Sequence, residues 1–162
     1  MGIRIVSKSA KLTLRDLSQF LYLLDNIYKA ELFLKTERKY AVPYFYRQKL
    51  KDSESLYIAR IEEKSPLHLI IVSSLPYKDI SHILVEIIKI AIALKVGKYA
   101  GRRIERPRQD RELRRSFVRR ELEYRRLAHD DLIVEEIVKM SYSRVDIEEV
   151  DIDSKTFEDY FN

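Results

Sequence analysis

The apolar residues switch between two periods along the chain, and each switch marks an element. Residues 3–9 alternate loosely, Ile3 and Ile5 against Arg4 and Lys8, which predicts a short strand. From Leu14 the spacing turns helical. Leu14, Leu17, Leu21, Leu24 and Tyr28 define one face, widened by Phe20, Leu23 and Ile27, so a helix over 13–35 carries a side broad enough to cover a sheet. Thr13 with Asp16 supplies a capping pair, and Leu12 with Leu17 a hydrophobic staple.

Two β-prone runs follow at 56–61 and 67–72. The residues between them, Glu62 to Pro66, suit a hairpin loop, with Pro66 opening the second strand. Pro76 then stands where the first turn of a helix tolerates proline. The helix predicted over 77–96 is the most apolar element: Ile80, Ile83, Leu84, Ile87, Ile88, Ala91 and Leu94 hold helical spacing, and Val85, Ile90 and Ile92 extend the surface. Only a stripe through His82, Glu86 and Lys89 is polar. A membrane span is disfavoured, because Glu86 and Lys89 interrupt the run and crossing hydrocarbon takes roughly 20 apolar residues. Such a helix needs cover on two sides: the sheet on one, and a C-terminal segment or a second subunit on the other. Ile83, Ile87, Ile90 and Leu94 are the candidate interface residues for a second subunit.

Gly97 and Gly101 permit a turn. From Pro107 to Ala128 a charged helix carries a thin apolar stripe of Leu113, Phe117, Tyr124 and Leu127, with Val118 and Leu122 beside it. Asp110 with Arg114 and Glu121 with Arg125 are ordered i, i+4 pairs. A further helical stretch is predicted over 132–140. An acidic edge strand over 143–153 alternates at Val145 and Ile147 and again at Val150 and Ile152, so Glu148-Glu149 marks a slip or bulge. Phe157, Tyr160 and Phe161 read as a docked tail or a peptide offered to a partner. The fold class is therefore α+β: a small antiparallel sheet of N-terminal strand, central hairpin and C-terminal edge strand, covered by two amphipathic helices, plus a long charged helix. Residues 1–97 form the core, 98–128 an Arg-rich helical segment and 129–162 an acidic segment, packed as one domain.

Charge sharpens this division. Lys98–Arg126 holds twelve Lys and Arg against five acids, a net +7, whereas Leu127–Asn162 holds three against eleven, a net −8. The chain total of +5 conceals both. An electrostatic partner follows, either a polyanion on the Arg segment or one copy's acidic segment on another copy's arginines. At 162 residues with 46% hydrophobic and 35% charged residues, the chain is long and apolar enough for a real core. It has no cysteine, so disulfides, thiolate metal sites and a Cys nucleophile are excluded. The first residues lack the apolar run of a signal peptide, and Val6 stands where a myristoylation motif wants Ser or Thr; a cytoplasmic protein is expected.

Three groups of residues are candidates for chemistry. Arg102, Arg103, Arg114, Arg115, Arg119, Arg120, Arg125 and Arg126 could bind nucleic acid or another anion, since the guanidinium fork suits phosphate. They do not share one helical stripe, and acids interleave them; a solvated, ion-paired helix is the plainer reading. Tyr40, Tyr44 and Tyr46, among basic residues, could stack single-stranded bases or simply anchor a long loop. His68, His82 and His129 lack metal-ligand spacing, and no Gly-rich phosphate loop or nucleophile elbow is present, so no metal, cofactor or catalytic residue is assigned. The expected function is a non-enzymatic, self-associating interaction or regulatory module, a homo-oligomer or the partner of another protein. The alternative is a nucleic-acid-binding regulator whose acidic tail closes the Arg surface, in which case deleting residues after about 141 tightens binding.

Overall fold

The computed structural model describes residues 2–8, 12–36, 38, 49–62, 66–75, 78–97, 107–128 and 130–162. Strands β1 (Gly2–Ser7), β2 (Leu56–Glu62), β3 (Leu67–Ser73) and β4 (Ile147–Asp153) form an antiparallel sheet in the order β2-β3-β1-β4. The helices are α1 (Leu14–Lys35), α2 (Lys78–Lys95), α3 (Pro107–Tyr124), α4 (Asp131–Ser141) and α5 (Phe157–Phe161). The fold is α+β, as the two periods predict.

β1 lies in the middle of the sheet. Ile3 faces Ile71 and Ile152 on its two sides, and Ile5 faces Leu69 and Val150, so one face of three strands is apolar and belongs to the core. At the far end Val6 pairs with Glu149 but Ser7 pairs with Ile147, which leaves Glu148 as the extra residue of a bulge. This is the irregularity that Glu148-Glu149 signals in the sequence. It allows Ile147 and Val150, three residues apart, both to reach the core.

α1 starts as predicted: Thr13 Oγ accepts from the Asp16 amide at 3.1 Å. Its buried Tyr28 donates its hydroxyl to the Glu54 carbonyl at 2.7 Å and lies 2.8 Å from Ser73 Oγ, tying α1 to the hairpin. α2 packs on β1 and β4 with one side and against α4 and α3 with the other. The cover that its all-round apolarity demands is thus the chain's own C-terminal segment. Ile87, Ile90 and Leu94 are 0% exposed, committed to this core and not available to a second copy. Of the four candidate interface residues only Ile83 keeps partial exposure. Burying each such side chain contributes about 1.5–3 kcal/mol. No helix among the described residues is long and apolar enough to cross a membrane.

The C-terminal aromatics are a docked tail. Tyr57, Val72, Gly2 and Asp153 form one row across the four strands. α5 spans this row: Phe157 and Phe161 meet the Tyr57 ring edge-on at 5.1 and 5.9 Å, and the Tyr160 hydroxyl donates to Asp153 Oδ2 at the opposite edge. Burial, then the bond to Asp153, pushes the Tyr160 phenol up to about 12. Thr156 and Asp159 close a capping box that starts this short helix.

Candidate interaction surface

α3 ends at Tyr124, four residues before the predicted Ala128. Arg126 adopts φ 56°, its amide bonding the Glu123 carbonyl at 2.9 Å while the Leu127 amide bonds that of Leu122 at 2.8 Å. This is a Schellman close, with arginine in a left-handed position that usually takes glycine. It turns the chain back, and α4 runs antiparallel to α3.

The antiparallel pairing decides what the arginines do. Arg111, Arg115 and Arg119 recur every four residues and face α4, where Asp131 and Glu135 also stand four apart. Glu135 accepts from both Arg111 and Arg115, the latter at 2.8 Å, and Asp131 accepts from Arg119 at 2.9 Å. Partial burial works against charge on Glu135, but the bonds from Arg115 and Arg111 outweigh it and hold the carboxyl below its ordinary value. Arg114 donates to Asp110 and to Ser141 Oγ, each at 2.9 Å, and its guanidinium stands 4.3 Å over the Tyr142 ring. Arg125 reaches Glu86 of α2 and lies 3.6 Å from Glu121. Burial again opposes the charge on Glu86, and the bonds from Lys89 and Arg125 hold its carboxyl low.

Six of the eight candidate anion-binding arginines lie among the described residues, and four of them, Arg114, Arg115, Arg119 and Arg125, are ion-paired within the chain. Arg120 and Arg126 have no carboxylate partner among the described residues; Arg120 stands 5.5 Å over the Phe117 ring. Arg102, Arg103, Tyr40, Tyr44, Tyr46 and His129 lie outside the described residues. His68 sits on β3 opposite Val6, His82 is exposed on α2, and no group of three or more metal-ligating side chains comes together among the described residues.

Within α3 the arginines meet Asp110 and Glu121, and beyond it they meet Glu86, Asp131 and Glu135. Acids after residue 141 are engaged elsewhere: Asp146 with Lys95, Glu148 with Lys8, Asp151 with Arg4. Deleting residues after 141 takes away β4 and the Tyr142 ring beneath Arg114, but none of the carboxylates paired with Arg111, Arg115, Arg119 and Arg125. Glu135→Gln releases Arg111 and Arg115 together. It is expected to cost about 1 kcal/mol in low salt and less in high salt, because such partly exposed pairs are screened; thermal melts at two ionic strengths check this.

Polar residues set on apolar helix faces also carry structure that charge runs do not reveal. Asn26 Nδ2 donates to Glu136 Oε2 at 3.1 Å in the buried seam between α1 and α4. Glu31, 2% exposed on α1, has an Oε1 with no hydrogen-bond partner among the described residues. Both stand among Leu23, Ile27 and Ala30 in the sequence, and that misfit with the apolar face was the available signal.

One apolar stripe of α3 turns outward. Leu113, Phe117, Arg120 and Tyr124 follow i, i+4, i+7, i+11 spacing, on the side opposite the buried Val118 and Leu122. Leu113 is 39% and Tyr124 83% exposed. No protein-family model, curated protein or solved structure matches this chain.

Proposed function

We propose that the protein is a non-enzymatic interaction module that self-associates through the outer stripe of α3. The supporting observation is the composition of that stripe: exposed Leu113 and Tyr124 flank Arg120, a cation without a carboxylate partner among the described residues. A surface holding both an aromatic ring and a guanidinium is self-complementary. In a two-fold antiparallel pairing Arg120 of one copy meets Tyr124 of the other, while the leucines are removed from water. The inner arginines do not set the register of this contact, because α4 already neutralises them.

Light scattering coupled to size exclusion tests the reading. A dimer is expected at both low and high salt, since the contact is apolar and cation–π in kind. Leu113→Lys with Tyr124→Asp is expected to give a monomer with an unchanged melting temperature, as neither side chain is buried. A wild-type monomer at high concentration sinks the proposal. A monomer that co-elutes with nucleic acid at low salt only would shift the function to anion binding, with Arg120 and Arg126 as the exposed contacts among the described residues.

A further inference from the structure

A cleft of about 340 Å³ opens where α1, α2, α4 and the approach to β4 meet. Phe20, Ile92, Val96, Met140, Val145 and Ile147 give it apolar walls. That volume lies at the lower end of what small-molecule sites use. One cation stands in the lining. Lys95 Nζ donates to the main-chain carbonyls of Ser143 at 2.6 Å and Val145 at 2.9 Å, and pairs with Asp146 Oδ1 at 2.6 Å.

The three partners of this ammonium differ in kind. The two carbonyls belong to the connection entering β4, which is fixed by further bonds: Asp146 O accepts from Ser7 Oγ at 2.9 Å and from the Lys8 amide at 2.8 Å. They place the ammonium and cannot leave. The Asp146 carboxylate, by contrast, is on a side chain 61% exposed, where water and solutes reach it. An ammonium held by two neutral oxygens has one remaining position for a negative charge, and that position adjoins an apolar cleft. We propose that this cleft binds small amphipathic carboxylates: the ligand carboxylate takes the place of Asp146 on Lys95, and its hydrocarbon chain lies over Phe20, Ile92 and Met140. The charge decides the head group, because a carboxylate bond to ammonium is about twice as strong as a neutral one.

The chain contains two methionines, Met1 and Met140, so a methyl-labelled sample reports on the cleft through one resonance. Octanoate is the probe and octanol the neutral control of equal chain length. Octanoate is expected to shift the Met140 methyl saturably, with octanol roughly tenfold weaker. Asp146→Asn removes the competing carboxylate while keeping its main-chain carbonyl, and should tighten octanoate several-fold without changing octanol. Lys95→Met should reduce octanoate to the level of octanol; because it also takes two bonds from the β4 connection, the Asp146→Asn arm stands if this variant does not fold. The proposal is overturned by no saturable shift at Met140, by equal binding of the two probes, or by octanoate binding that Asp146→Asn leaves unchanged or weakens.

Discussion

Glu31→Gln is expected to flatten the dependence of stability on pH and to make the fold more stable than wild type above neutrality. Burial raises the Glu31 carboxyl from 4.5 to about 7, a shift that attraction to Lys35 only partly opposes. Below pH 4.5 both folded and unfolded chains hold this proton, and the stabilisation of the neutral form is fully present. Between 4.5 and about 7 the unfolded chain gives the proton up while the folded chain keeps it, so stability falls as pH rises. Above about 7 the carboxylate is charged in place and the loss is complete, on the order of 3 kcal/mol at about 1.4 kcal/mol per pH unit. Glutamine cannot ionise and removes this slope. Chemical denaturation at a series of pH values from 4 to 9 reads it directly; equal slopes in the two proteins would refute the assignment. The test is internal, since any constant packing cost of the amide displaces the whole curve without restoring its tilt.

Gly2→Ala should destabilise the protein and loosen α5 together. A methyl at Gly2 would lie 2.6 Å from Val72 Cγ1 and 2.8 Å from the Ile71 carbonyl. Val72 is fully buried beside the Tyr57 position that α5 covers, so it has little room to turn, and the carbonyl belongs to the strand paired with β1. Overpacking of this kind costs about 1–3 kcal/mol. Limited proteolysis after Asp153 should then proceed faster than in wild type, and the melting temperature should drop. Phe161→Ala, which removes one ring from Tyr57 but leaves the strand backbones as they are, should reproduce the faster cleavage but only a fraction of the drop. A Gly2→Ala protein with wild-type melting would show that the row beneath α5 has room the geometry denies.

Much of the fold was legible because it is local. The Thr13 cap, the two helical spacings, the hairpin around Pro66 and the bulge at Glu148 each lie within a few residues of their own signal. The end of α3 was not, because arginine at a left-handed position gives no glycine to read. The arginine surface was half legible. The doublets behave differently: Arg114 and Arg115 both turn to α4, one to Ser141 and the other to Glu135, whereas Arg119 faces Asp131 while Arg120 faces solvent. That division depends on the antiparallel return of α4, which no helical wheel of α3 contains. The cleft was illegible for a stronger reason, since its walls come from four elements spread from Phe20 to Ile147.

The place of β1 bears on how the chain is made. It leaves the ribosome before the two strands that flank it in the sheet, and its pairing with β4 joins Arg4 to Asp151 across 147 residues of chain. Until that distant stretch has been translated, β1 offers a naked row of amides and carbonyls to any neighbouring nascent chain. Completion of the sheet is thus timed by elongation rather than by local folding speed. A translational pause before residue 147 would hold the protein in its most adhesive form, and a chaperone that grips the first strand would protect it for that interval.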